Sequence, residues 1–206
     1  MGLDMTISRT VHGYRKADGT LSNSFDDYET DEFGVSNSEY VTTQAAYWRK
    51  ANSIHGWFVN NVQNGEDDCG TYEIDIDTLK KLRGVCMDVL GKMRGMVLEV
   101  PDKYAADFAK WFPNGEVPRK VVIDPDNLSE LAKVTGYHEF SEDADIGICE
   151  TILPTQSGFF FGDTKYNGNY IQDIVKTILM LDRIIAQDKK YQKIGVYPDY
   201  EYHASW

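Results

Sequence analysis

The amino-acid sequence predicts an α+β fold: one compact domain over residues 1–206, with two long core helices packed on a small, mostly antiparallel sheet. Three observations carry that expectation. Apolar residues recur at helical spacing over 38–63 and again over 169–187. Leu3, Met5 and Ile7 alternate with Asp4, Thr6 and Ser8 at the period of a half-buried strand. The segment 191–206 holds four tyrosines and Trp206, aromatic surface that is unfavourable in water unless it folds back as a strand.

Taken in order, the chain opens with that strand at 3–8. Residues 12–39 are rich in Gly, Asp, Ser and Asn and read as a long loop or weak hairpin. Ser38 can cap a helix, and the next breaker pair is Asn64-Gly65. The intervening Tyr40, Tyr47, Ala51, Ile54, Phe58 and Val62 share one face at 100° per residue, and Arg49, Asn52 and Gly56 form a polar strip beside it. Glu66 to Gly70 makes a turn, Thr71 to Ile74 a short strand, and Asp75 or Asp77 caps a helix running to about Met93 on Leu79, Leu82, Cys86, Val89 and Leu90.

Residues 95–150 are less regular and can form an inserted lobe. They comprise a strand at 96–100, a short helix at 104–111, a strand at 121–123 and a helical turn after Asp126. Ile152 to Gly162 reads as a loop entering a buried strand through Phe159, Phe160 and Phe161.

With 42% hydrophobic and 13% aromatic residues the chain can bury a core, which excludes disorder as its overall state. A formal net charge of -12 repels nucleic-acid phosphates, and no concentrated basic run offsets it, so direct nucleic-acid binding is not expected. The same charge suits either an ordinary soluble surface or a decoy that imitates DNA and inhibits a host DNA-binding enzyme. Cys69, Cys86 and Cys149 are odd in number and widely spaced, which points to a reducing compartment and signals neither disulfides nor zinc. No apolar run approaches the roughly 18 residues of a membrane span, so the expected location is cytoplasmic. Neither a Walker A sequence nor G-x-G-x-x-G is present, and no cofactor or metal is expected. A homo-oligomer stays open.

The residues that can carry chemistry each have two readings. His55 suits a general base or a ligand donor, or a buried ring satisfied by a neighbour. Trp48 suits stacking on a base, or core packing. Arg49 matches phosphate geometry, or a surface salt bridge. Asn52 can read a base edge, or tie down a loop. Gln156 and Ser157 lie in a glycine-containing loop able to grip a phosphate. Asp67 and Asp68 beside Cys69 suggest a metal site or an activated thiolate, or a turn; neighbouring carboxylates oppose thiolate formation, and Asp and Gly are the residues that turns require.

Four blocks carry a resemblance: the start Met1-Gly2-Leu3-Asp4-Met5, Tyr47 to Val59 (YWRKANSIHGWFV), Val62 to Gly70 (VQNGEDDCG) and Leu153 to Gly162 (LPTQSGFFFG), with Ala204-Ser205-Trp206 at the close. Together they resemble a family of small bacteriophage and prophage proteins without an established activity. The resemblance implies a phage accessory protein acting in the host bacterial cytoplasm, where such proteins often counter host defence. The leading expectation is therefore an anti-defence sponge that binds a small nucleotide-like ligand through Trp48, Arg49, Asn52 and His55, with Gln156 and Ser157 closing the site. The alternatives are a metal-assisted phosphodiesterase using His55 with Asp67 or Asp68, and an acidic protein-protein inhibitor.

Overall fold

The alternation that opens the chain becomes the central strand of the protein. The computed structural model describes residues 2–206. In chain order the elements are β1 (Asp4–Arg15), β2 (Leu21–Ser22), β3 (Ser38–Arg49), α1 (Asn52–Asn61), β4 (Thr71–Ile74), α2 (Ile76–Lys92), β5 (Val97–Glu99), α3 (Ala105–Trp111), β6 (Lys120–Val122), α4 (Leu128–Leu131), β7 (Glu139–Phe140), α5 (Gly147–Ile152), α6 (Gly168–Gln192) and β8 (Asp199–Ser205). The fold is α+β, and both sheets are antiparallel.

β1 pairs with β3 along one side and with β8 along the other, and β8 continues to β4. Leu3, Met5, Ile7, Ala46, Trp48, Tyr200, Tyr202 and Ala204 turn inward from these strands. The opposite face carries Thr6, Ser8, Glu201 and His203, as expected of an antiparallel sheet with one solvated side. The aromatic tail thus does fold back as a strand. Tyr202 stacks on Phe58 of α1 with ring centroids 3.9 Å apart.

The helix expected over 38–63 is corrected by the structure. Ser38–Arg49 is a strand, and only Asn52–Asn61 is helical. Tyr40, Val41, Thr42, Thr43, Tyr47 and Trp48 are β-branched or aromatic and favour a pleated surface. Ile7 faces Ala46 whereas Ser8 faces Gln44, so Ala45 is an extra residue in β3. That bulge breaks the period of two, and the spacing of Tyr40, Tyr47 and Ala51 then imitates a helix. Lys50, with φ of 60°, turns the chain from strand into helix.

The two long helices are α2 and α6. Asp75 caps α2, its Oδ1 accepting from the Thr78 amide at 2.6 Å. Asn167 caps α6 by accepting from the Asn169 amide at 2.9 Å. Leu79, Leu82, Cys86 and Val89 of α2 and Ile171, Ile174, Ile178 and Leu181 of α6 belong to one hydrophobic cluster with the sheet. Arg83 and Asp182 pair across the two helices. Segment 95–150 contains its own three-stranded sheet, β6-β5-β7, which joins the same cluster through Leu98, Val121 and Ile123.

The buried strand expected near Phe159 to Phe161 is also corrected. Residues 153–162 form an irregular loop in which Phe161 is 5% exposed and Phe159 is 93% exposed. Gly158 and Gly162 break the run on both sides. Among the described residues, no helix is long and apolar enough to cross a membrane.

Candidate anion-binding site

Between the end of β3 and the start of α6, one amide side chain ties the loop to α1 through its hydrogen bonds to Gln156, Phe161 and Asp163. Asn52, 4% exposed at the start of α1, accepts from the Gln156 amide at 3.1 Å. Its Nδ2 donates to the carbonyls of Phe161 and Asp163 at 3.2 and 2.9 Å. The loop it holds lies close to the strand end, because a Cβ on Gly162 would stand 3.1 Å from Cβ of Lys50. The φ of Gly162 is +93°, a conformation natural to glycine. Asp163 continues the lacing, with Oδ1 accepting from the Lys165 amide at 3.1 Å and Oδ2 from Asn167 Nδ2 at 3.2 Å.

This framework encloses a cavity of about 260 Å³ lined by Arg49 and Lys50 from the strand end, Lys165 from the loop and Lys176 from α6. Asp163 and Asp173 are the acidic residues in its wall. α1 begins at this cup, with Asn52 and Ser53 in the lining. Its N-cap, Ala51, supplies no side-chain cap. The Asn52 amide donates to the Lys50 carbonyl at 2.9 Å and the His55 amide to the Ala51 carbonyl at 3.0 Å. The amides of Ser53 and Ile54 have no backbone acceptor among the described residues. Four cationic residues and the first turn of a helix therefore line one cavity of an otherwise acidic protein.

The cations are weakly committed elsewhere. Arg49 is 60% exposed in its side chain and stands 3.9 Å from Asp4, a carboxylate that also accepts from the Tyr47 hydroxyl. Lys176 donates to Gln172 at 2.9 Å. Burial pushes the Asp173 carboxyl up to about 7, with Lys176 pulling it down by a smaller amount.

Of the residues that sequence reasoning singled out, Arg49 and Asn52 line the cup, and Trp48, His55, Gln156 and Ser157 do not. Trp48 is 3% exposed, and its Nε1 donates to Thr177 Oγ1 at 2.8 Å, so the stacking role is corrected to core packing. His55 is fully buried, with Nδ1 2.8 Å from the Tyr202 hydroxyl and Nε2 3.0 Å from Asp67 Oδ2. The carboxylate only accepts, which places a proton on Nε2; with a neutral ring, Tyr202 then donates to Nδ1. Both nitrogens are engaged and no face reaches solvent, so the general-base role is corrected to a structural one. Asp68 accepts from Tyr72 and the Gly70 amide, both at 2.8 Å, in a turn. Gln156 lines a neighbouring cavity of about 180 Å³ against Gly56 and Trp57. Ser157 is exposed on the same loop.

Lys50, Asp163, Lys165, Asp173 and Lys176 are the charged cup residues that the sequence did not single out. Adjacency of Lys50 to Arg49 is a usable signal. Nothing local connects Lys165 or Lys176 to them, because only the loop tether and α6 bring them near. No family model, curated protein or solved structure matches this chain.

Proposed function

We propose that the protein captures a small phosphorylated, nucleotide-like molecule and holds it by its phosphate between Arg49, Lys50, Lys165 and Lys176. The supporting observation is the gathering of those four cations around one cavity in a chain of net charge -12. A guanidinium fork gives two parallel hydrogen bonds to phosphate oxygens, ammonium groups add charge, and open helix amides add donors. Asn52 is a positioning residue here, since all its polar atoms hold the loop. The resemblance to phage proteins favours a counter-defence role, in which the captured molecule is a bacterial defence signal.

Calorimetry with pyrophosphate, ADP-ribose and cyclic dinucleotides tests this. At least one should bind, and Lys50→Glu or Lys176→Glu, both at exposed positions, should weaken it at least about tenfold, roughly 1.4 kcal/mol. If none of them binds at millimolar concentration, the proposal fails.

Asp173 favours a second reading, hydrolysis of a phosphodiester in the same cup. A carboxyl that titrates near 7 is matched to taking a proton from an attacking water at neutral pH. Chromatography of the ligand after incubation separates the two, since a sponge returns it intact.

A further inference from the structure

The cup is not isolated. Asp163, Lys165 and Asn169 also line a second, larger cavity of about 690 Å³, so one short stretch of chain is a wall common to both. The two sides of that wall differ in chemistry. The larger cavity is lined by Tyr104, Phe140 and Tyr166, each half-buried. It also carries Glu139, Glu142 and Glu150. Its Lys103 is already paired with Glu139 at 2.9 Å. The cup is cationic and small, and its neighbour is aromatic, acidic and large enough for a small molecule.

We infer that the two cavities are compartments of one site and that its ligand is a nucleoside phosphate, with phosphate in the cup and the base and sugar in the aromatic cavity. This rests on the phosphate-binding reading of the cup. Charge sorts the ends: carboxylates in the larger cavity repel a phosphate, and the cup attracts it. Aromatic rings suit a flat base, and carboxylates accept from exocyclic amines or ribose hydroxyls. Free phosphate or pyrophosphate fills only the cup. Lys165, on the shared wall, lies where the phosphate joins the sugar.

The test compares pyrophosphate with ADP, GDP, CDP and UDP by calorimetry on the full chain. At least one nucleoside diphosphate should bind about tenfold or more tighter than pyrophosphate. Two variants address the larger cavity: Ser141→Trp fills it from a half-buried wall position, and Tyr104→Ala removes a ring. Each should cut the nucleoside advantage to less than about threefold while leaving pyrophosphate affinity within about twofold. The inference is overturned, with the cup intact, if pyrophosphate binds as tightly as every nucleoside diphosphate. It is likewise overturned if the advantage survives both substitutions. Failure of pyrophosphate to bind at millimolar concentration removes the cup and this inference together.

Discussion

The Gln156 amide donates to Oδ1 of Asn52 at 3.1 Å, joining residues 104 positions apart. One buried side chain thereby helps to fix the loop that carries Thr155, Gly162, Asp163 and Lys165 into the cup wall. Asn52→Ala leaves the Gln156 amide and the carbonyls of Phe161 and Asp163 without their partner. A loss of about 3 kcal/mol is expected in urea denaturation, since each stranded polar group costs roughly 1 to 3. Pyrophosphate binding should weaken as well, through the loop, since the Asn52 side-chain amide is fully engaged in holding it.

Lys50 combines a cup-lining side chain with an unfavourable backbone. Its φ of 60° costs an L-residue about 1 kcal/mol that glycine escapes. Lys50→Gly should therefore raise the unfolding free energy by up to about 1 kcal/mol while weakening pyrophosphate binding. A variant that loses both stability and binding would contradict this account.

Asp173 makes the cup sensitive to pH. Its folded value, pushed up to about 7, lies above the ordinary carboxylate value of about 3.9. The protonated form is thus favoured by folding, and the associated stability is present below about pH 4 and lost as pH rises towards 7. Relative to Asp173→Asn, the wild type should lose up to roughly 4 kcal/mol across that window, about 1.4 for each pH unit, and then level off. Sulfate, which does not titrate there, should bind the wild type more weakly at about pH 8 than at pH 6, because an ionised Asp173 repels it. Asp173→Asn should flatten that dependence.

The His55 relay is expected to act through stability. Asp67→Ala strands a buried imidazole N–H and should cost about 2 kcal/mol. Tyr202→Phe should cost about 1 kcal/mol while keeping the stack on Phe58. Neither should alter pyrophosphate affinity in folded protein; a specific loss in either variant would return His55 to the working site.

Much of the fold is legible in the sequence because its signals are local. The Thr71–Ile74 strand, the Asp75 cap, the period of α6 and the amphipathic tail each lie within a few residues of one another. β3 was not legible because the extra residue at Ala45 gave a strand the spacing of a helix. Trp48 and His55 drew attention as functional types, but their partners Thr177 and Tyr202 are 129 and 147 residues away. The cup depends on equally distant neighbours. Arg49-Lys50 is visible as a pair, whereas Lys176 joins it only through the packing of α6 against β3.

The antiparallel pairing of β1 with β8 places Asp4 opposite Ser205 and Thr10 opposite Asp199. Force applied through the two ends of the chain would therefore meet those ladder bonds in succession, peeling β8 away from Ser205 towards Asp199, instead of loading them all at once as in shear. Single-molecule pulling should register a low rupture force. Refolding after release should be slow, since this zipper must close a loop that spans nearly the whole chain before the central sheet exists.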